Sequence, residues 1–203
     1  MIYEELYSFD DYYRRKYGII CGVDEAGRGP LAGPVAVAAV ILSPDIRYDR
    51  LTDSKKVSDK ARRVLYQEIK ATALSYHIEL IDNKTIDELN ILGATMLGMK
   101  KCIESLMTAE PKIALVDGNK TPSVELKTEA VIKGDAKSAS IAAASILAKV
   151  TRDDYMMELA YKYPEYRFEK HKGYPTKEHY EAIKEYGVTP YHRISFLKTL
   201  EKH

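Results

Sequence analysis

Five short runs of apolar, mostly β-branched residues determine the order of secondary structure that this chain can adopt. The first two, IICGV (19–23) and VAVAAVIL (35–42), flank a segment rich in glycine and proline and predict two strands with a structured connection. YHIELI (76–81), IALVD (113–117) and EAVIK (129–133) predict three more strands. A sheet is therefore the centre of the fold.

Helical patterns alternate with the later strands. Helices are predicted at 58–74, 89–106 and 138–161, and, in a looser tail after Pro164, in a short helix up to Tyr186 and a last segment at 195–200. Ser58 is a plausible N-cap for the first helix, and the alanine-rich start of the helix at 138–161 suits close packing against a sheet. Three strands followed by alternating strands and helices predict an α/β domain with a mixed sheet flanked by helices and a small helical C-terminal part.

The composition is that of an ordinary soluble globular chain, with 31 basic and 30 acidic residues among 203. Two cysteines, Cys21 and Cys102, are too few for a disulfide scaffold, and their apolar surroundings predict buried thiols in a reducing compartment. The longest aliphatic run, 35–42, is far shorter than the roughly 20 residues of a membrane span, and the first eighteen residues lack a secretory h-region. We therefore expect a cytoplasmic protein with no membrane partner, and nothing demands an oligomer.

Four carboxylates occupy positions where an α/β sheet places its functional groups. Asp24 and Glu25 follow the first strand, Asp117 ends another, and Asp135 lies between a strand and the alanine-rich helix. Four acids brought together would repel one another unless cations lay between them, and oxygen ligands suit Mg²⁺ or Mn²⁺. Each acid taken singly is also explained as a helix cap or turn residue, as Asp135 is after a glycine. Because neighbouring strand residues face opposite ways, Asp24 and Glu25 can share a site only if the strand ends or bends at Glu25.

The glycine-rich segment after the first strand superficially resembles a dinucleotide fingerprint. Its third glycine, Gly33, comes one residue too late for that motif, and Pro30 removes a backbone donor from the turn. Gly27 and Gly29, on either side of Arg28, instead allow bare backbone to approach a ligand while Arg28 supplies charge.

A third group of candidates is basic or hydroxylic. It consists of Ser54, Lys55, Lys149 and Arg152. Taken singly, such residues are most often solvated surface groups, and we interpret Arg193 in that way. Tyr174 differs, because the flanking Gly173 and Pro175 leave its ring few core partners, which favours an exposed ring that stacks on a base or sugar.

Six blocks in this sequence resemble the type 2 ribonuclease H family, and specifically its bacterial ribonuclease HII group. They are VDEAGRGPLAGPV (23–35), DSKK (53–56), DELNILGATMLGM (87–99), VDGN (116–119), KGDAKSASIAAASILAKVTRD (133–153) and HKGYP (171–175). The blocks are long, in order and correctly spaced, and only about the first 17 residues lie outside the resemblance.

The resemblance implies a ribonuclease H-like fold, with a five-stranded mixed sheet between helices. It implies residues 1–17 as an N-terminal extension and 18–203 as one catalytic domain, in which 164–203 completes the substrate cleft. Asp24, Glu25, Asp117 and Asp135 would hold two Mg²⁺ or Mn²⁺ ions. By the same resemblance, the backbone of Gly27, Arg28 and Gly29 would contact a ribose 2′-hydroxyl, and Tyr174 would stack on the adjoining deoxyribose. Lys55, Lys149 and Arg152 are candidates for positioning phosphates, and Ser54 is a further candidate for substrate binding.

The activity implied is hydrolysis of RNA in RNA:DNA hybrids and nicking of duplex DNA 5′ to an embedded ribonucleotide, leaving a 5′-phosphate and a 3′-hydroxyl. Such an enzyme removes misincorporated ribonucleotides and RNA primers. A non-catalytic nucleic-acid-binding module on the same fold is the main alternative, but it would normally lack at least one carboxylate. A net charge of +1 does not exclude nucleic acid, because acids that hold cations offset basic groups that hold phosphates.

Overall fold

The computed structural model describes residues 3–52 and 54–197. In these residues the strands are β1 (Ile20–Ala26), β2 (Val35–Ile41), β3 (Ser75–Ile81), β4 (Ile113–Asp117) and β5 (Thr128–Val131). The helices are α1 (Glu4–Tyr17), α2 (Asp59–Thr72), α3 (Asn83–Ser105), α4 (Ala139–Lys162), α5 (Phe168–His171), α6 (Lys177–Tyr186) and α7 (Ile194–Leu197). Short 3₁₀ turns lie at Ser54–Lys56, Met107–Ala109, Gly134–Ala136 and Pro164–Tyr166.

The strands form one mixed sheet in the order β3-β2-β1-β4-β5. β1 is antiparallel to β2 and parallel to β4, so the predicted five-stranded mixed sheet is confirmed. Alternate residues of β2 pack on opposite sides: Ala36 and Ala38 face a core shared with α2 and α4, and Val37 and Ala39 face α3. Every β2 residue is buried because helices cover both faces of the sheet.

The close contact between β1 and α4 is possible because Gly22 has no side chain. A Cβ at this position would lie 2.2 Å from the carbonyl carbon of Ser140. The alanine-rich first half of α4 is accordingly buried against the sheet, and Ser138 accepts a hydrogen bond from the Ile141 N–H as its N-cap.

One helix, α3, differs from the sequence-based expectation in an informative way. α3 begins at Asn83, before the predicted start at 89, because Asp82 accepts a hydrogen bond from the Thr85 N–H and caps an additional polar turn. Asn90 interrupts the helix with φ 59°, and its side chain accepts hydrogen bonds from the N–H groups that follow, so the predicted helix corresponds to the part after this break. The last predicted helix, 195–200, corresponds to α7, and positions 198–200 lie outside the described residues.

Residues 4–17, outside the blocks that carry the resemblance, fold as α1 and attach to the start of α4. The Asp10 carboxylate is fully buried and accepts hydrogen bonds from the Ser138 hydroxyl at 2.6 Å, the Ser140 N–H at 2.8 Å and the Ser140 hydroxyl at 2.7 Å. A negative charge at a helix N-terminus satisfies free N–H groups and complements the helix dipole. The N-terminal helix therefore anchors the helix on which the core is built.

The C-terminal part packs on the end of α4 through an aromatic cluster and three buried histidines. Phe168 stacks on Tyr166 and contacts His171, His179 and His192. The two cysteines are buried thiols, as predicted. None of the described helices is long and apolar enough to cross a bilayer.

A chain of hydrogen bonds determines the protonation state of two of these histidines. His192 accepts the Thr189 N–H at Nδ1, so its Nε2 carries the proton and donates to His179 Nε2 at 3.1 Å, and His179 Nδ1 donates to the Tyr174 carbonyl. This pattern requires both rings to be neutral. Burial lowers the pKa of His179 and of His192 to about 4.

We predict that replacing Asp10 by alanine lowers the free energy of unfolding by roughly 3 kcal/mol, because three buried donors lose their acceptor. Denaturant unfolding measures the change. Asp11→Ala is the matched control, since Asp11 lies on the same helix with a 34% exposed side chain in surface ion pairs and should cost less than about 1 kcal/mol. Equal losses in the two variants would contradict the anchoring role of Asp10.

We also predict that stability falls as the pH is lowered from about 6.5 to about 4. The folded-state pKa of His179 and of His192 lies below the unfolded value, so the unfolded chain binds more protons in this window. The loss should reach up to roughly 3 kcal/mol for each histidine. When the free energy of unfolding is measured against pH, His192→Gln should show a shallower decline than wild type. A His192→Gln slope equal to wild type would refute the assignment.

Candidate active site

An open cleft of about 380 Å³ lies where β1 and β4 end. Its lining residues are Asp24, Glu25, Ala26, Gly27, Arg28, Gly29, Ser54, Lys55, Asp117, Asp135, Ser145, Lys149 and Tyr174. Every site residue expected from the sequence except Arg152 lines this cleft. Ser145, on the buried side of α4, was not anticipated, because a serine within an alanine-rich helix carries no functional signal in the sequence.

Parallel strand pairing places Asp24 beside Asp117. Val23 of β1 is in register with Val116 of β4, and both side chains lie in the core under α3. The next residue on each strand, Asp24 and Asp117, therefore faces the opposite side, towards α4. The two most central carboxylates of the site are thus brought together by strand register.

Glu25 reaches the same cleft from the other face of β1. A shared site was expected only if β1 ends or bends at Glu25, and β1 does not end there, because Glu25 and Ala26 still pair with Val37 and Ala36 of β2. β4 instead ends at Asp117, one residue short of the position beside Glu25. The end of the neighbouring strand leaves this edge open, so carboxylates on opposite faces of β1 can line one cleft.

Asp135 is brought to the cleft by a direct bond between its turn and β4. The Gly134 N–H donates to Asp117 Oδ1 at 2.6 Å, and Gly134–Ala136 forms the 3₁₀ turn that leads into α4. The two interpretations of Asp135, as a turn residue and as a site residue, are therefore compatible, because the turn places Asp135 in the same cleft as Asp117.

The carboxylates repel one another within a buried site. Burial and the charges of Glu25 and Asp117 raise the pKa of Asp24 well above its ordinary value, and the Asp24 side chain is almost wholly buried. Burial also raises the pKa of Glu25, while Arg28, with Nη1 3.4 Å from Glu25 Oε1, lowers it. Asp24 has no ion pair with a cationic side chain among the described residues.

A hard divalent cation suits the chemistry of this set of donors. The four acids supply only oxygen, and cations between them would remove the repulsion that raises the pKa of Asp24. In the described part of the chain, no three His, Cys, Asp or Glu side chains converge closely enough, as placed, to hold a metal ion.

The glycine-rich loop exposes backbone to the cleft, and Tyr174 lies over it. Gly27 has φ 91°, and a Cβ there would lie 1.9 Å from Nε of Arg152, so no other residue fits without displacing that arginine. A Cβ at Gly29 would lie 3.6 Å from the Tyr174 ring, which is 41% exposed. The expected bare backbone and exposed ring are therefore neighbours.

Two arginines correct the sequence-based expectations. Arg152, expected to contact phosphate, is 1% exposed and donates to the carbonyls of Ala32, Pro34 and Lys172, so its guanidinium supports the loops from inside. Arg193, interpreted as a surface charge, is fully buried. In both cases the carbonyls that accept hydrogen bonds from the buried guanidinium belong to distant segments of the chain. No local sequence pattern can therefore predict the burial.

The remaining polar candidates differ in how accessible they are. Ser54 is buried, with its hydroxyl 2.9 Å from that of Ser145. Lys149 is partly exposed at the cleft and donates to Asp153 at 2.7 Å, one helical turn further along α4. Lys55 is exposed. The two lysines are thus better placed than Ser54 to meet a substrate.

Comparison with known proteins identifies relatives of this chain. The family model described as Ribonuclease HII matches residues 21–199. Ribonuclease HII of Endomicrobium trichonymphae is 51% identical over 197 residues, which cover 96% of this chain and 93% of that protein. Ribonuclease HII of Caldicellulosiruptor bescii is 54% identical over 184 residues, which cover 91% of this chain and 89% of that protein.

Similarity of structure leads to the same family. The crystal structure of ribonuclease H2 from Pyrococcus horikoshii OT3 aligns with a TM-score of 0.71 at 26% identity, covering 91% of this chain and 96% of that one. This likeness confirms the ribonuclease H-like fold inferred from the sequence blocks. The chain therefore belongs to the ribonuclease HII family and is a ribonuclease H enzyme.

Proposed function

We propose that this ribonuclease H hydrolyses the RNA strand of RNA:DNA hybrids and nicks duplex DNA on the 5′ side of an embedded ribonucleotide. The observation that carries the proposal is that Asp24, Glu25, Asp117 and Asp135 line one cleft together with the backbone of Gly27–Gly29. Carboxylates able to hold cations thus lie beside backbone able to meet a sugar. The products are a 5′-phosphate and a 3′-hydroxyl.

In this proposal the four carboxylates hold two Mg²⁺ or Mn²⁺ ions. Asp24 and Asp117, which are adjacent across the β1–β4 pair, would hold the ions together with Glu25, and Asp135 would help to hold a second ion. When bound, such ions lower the pKa of water and stabilise charge that develops on phosphoryl oxygens. The protein's own contribution is to keep the carboxylates ionised and oriented and to hold the phosphodiester in line with them.

Recognition of RNA rests on the loop and on Tyr174. The 2′-hydroxyl is the group that distinguishes RNA from DNA, and the backbone of Gly27, Arg28 and Gly29 can approach it closely. Tyr174, with its exposed ring over Gly29, stacks on the adjoining deoxyribose. Lys55 and Lys149 position phosphates at the rim of the cleft.

We further propose that the enzyme is cytoplasmic and acts as a monomer, without a membrane partner. In the cell it would act on misincorporated ribonucleotides and RNA primers.

A binding module without catalysis is the competing function. The presence of all four carboxylates in the cleft supports the enzyme, because a binding module has no need for buried, mutually repelling acids.

The decisive experiment compares four labelled substrates: a DNA duplex with one embedded ribonucleotide, an RNA:DNA hybrid, an all-DNA duplex and single-stranded RNA, each with Mg²⁺, Mn²⁺ or EDTA. We expect cleavage of the first two only with a divalent ion, and 5′ to the ribonucleotide in the first. Nicking of the all-DNA duplex, or activity in EDTA, would refute the proposal.

Carboxylate variants identify the groups responsible. Asp24→Asn and Asp117→Asn should each lower the cleavage rate by about a thousandfold or more while leaving the fold intact, because removal of a charge that stabilises the transition state costs several kcal/mol. Asp154→Asn, on the exposed side of α4 in an ion pair with Arg63, should cleave like wild type. Wild-type rates in Asp24→Asn would show that the carboxylates are not catalytic.

Binding of the cation can be measured without any cleavage. We predict that Mn²⁺ raises the unfolding temperature of the wild-type protein, because an ion that binds only the folded state stabilises it by mass action. The increase should be much smaller in Asp24→Asn and unchanged in Asp154→Asn. Equal increases in all three proteins would place the cation somewhere other than this cleft.

A further inference from the structure

Arg193 lies directly behind the glycine-rich loop and holds its backbone. Its Nη1 donates to the Arg28 carbonyl at 2.9 Å, and its Nη2 donates to the Gly27 carbonyl at 2.7 Å. The remaining bonds go to the carbonyls of Gly33 at 2.9 Å and Pro34 at 3.0 Å. One fully buried guanidinium therefore bonds to four carbonyls of the segment that follows β1.

These bonds determine which way the peptide groups of the loop point. In a trans peptide the carbonyl of one residue and the N–H of the next point in opposite directions. Because the carbonyls of Gly27 and Arg28 point inward to Arg193, the N–H groups of Arg28 and Gly29 point away from it. Both residues line the cleft, and neither N–H donates a hydrogen bond within the described part of the chain.

The charge of Arg193 strengthens this arrangement. Neither Arg193 nor the nearby Arg152 forms an ion pair with a carboxylate of the described residues. Backbone carbonyls accept the hydrogen bonds of both guanidiniums. The Arg193 guanidinium also lies over the Phe196 ring, and that of Arg152 over the Tyr174 ring. Burial and the charge of Arg152 lower the pKa of Arg193 to about 9, so it remains charged at neutral pH. A charged donor polarises the peptide groups to which it bonds, which makes their N–H groups better donors.

Arg193 is itself held in place from several directions. Its N–H donates to the Leu31 carbonyl at 2.8 Å, and the Asn83 side chain bonds to the carbonyls of Pro190 and His192. Asp87 accepts hydrogen bonds from the N–H groups of the two residues that follow Arg193. The guanidinium therefore acts as a rigid support for the loop.

We propose that Arg193 is a positioning residue for ribose recognition, which orients the loop so that the N–H groups of Arg28 and Gly29 bind the oxygen of the 2′-hydroxyl. Arg193 does not touch the substrate in this arrangement. The inference deepens the proposed function and rests on it, because it assigns a cause to the geometry of the loop that meets the sugar.

Arg193→Lys tests the proposal, because lysine keeps the charge but cannot donate to all four carbonyls in fixed directions. The measurement is the ratio of dissociation constants for an all-DNA duplex and the same duplex with one ribonucleotide, in an Asp135→Asn background, in which we expect no cleavage because a proposed cation ligand is lost. We expect this ratio to fall at least tenfold in Arg193→Lys. In the active protein, with Asp135 unchanged, Arg193→Lys should raise KM for the ribonucleotide-containing duplex by a larger factor than it lowers kcat.

Arg62→Lys is the matched control. Arg62 is also a buried arginine that donates to backbone carbonyls, those of Ser54 and Val57, in a different loop beside the same cleft. Arg62→Lys should lose about as much stability as Arg193→Lys. Its ratio of dissociation constants should stay within about threefold of that of the Asp135→Asn parent. A ratio in Arg193→Lys that stays at the parent value, in protein shown to be folded by circular dichroism, would overturn the proposal.

A second measurement needs no variant at Arg193. The amide NMR signals of Arg28 and Gly29 in the Asp135→Asn protein should shift when the ribonucleotide-containing duplex is added, and much less with the all-DNA duplex. Equal shifts with both duplexes would overturn the proposal. Failure of the proposed function has a different signature, since the parent protein would then show no preference for the ribonucleotide at all.

Discussion

The contact between α4 and β1 at Gly22 is the constraint on which the rest of the structure depends. A Cβ added at Gly22 would lie only 2.2 Å from the Ser140 backbone, so any side chain there would push α4 away from the sheet. Because α4 lies so close, Asp24 is buried beneath Ser145, and the turn containing Asp135 meets the end of β4. Asp10 of α1 then fastens the start of the same helix from outside.

The site combines two opposite charge arrangements, each of which is costly without a partner. On one side, carboxylates repel one another, and burial raises the pKa of Asp24. On the other, Arg152 and Arg193 are buried without carboxylate partners among the described residues, and backbone carbonyls compensate their charge. In the proposed function, the carboxylates hold cations and the N–H groups of the glycine-rich loop bind an oxygen acceptor, within one cleft. This division explains how a chain with a net charge of +1 can act on nucleic acid.

Much of the fold could be predicted from local patterns, because each pattern reflects a local cause. Ser58 and Ser138 cap α2 and α4 as their positions in the sequence suggest, and β4 coincides with the predicted strand. Two expectations about the site differ from the structure for reasons that are not local. β1 runs to Ala26 because β2 continues to pair with it, and Arg193 is buried by carbonyls of residues about 160 positions earlier in the chain.

The sequence by itself determined the class of fold and the ribonuclease HII family, and it singled out the four carboxylates that line the cleft, because these depend on residue type, order and spacing. Only the tertiary structure decided how these carboxylates are arranged in space. Strand register placed Asp24 beside Asp117, and the early end of β4 let Glu25 reach the same cleft. The structure also shows that Arg152 and Arg193, which the sequence predicts at the surface, support the loop from inside. Sequence patterns miss this because the free energy of a buried charge depends on partners that only folding brings together.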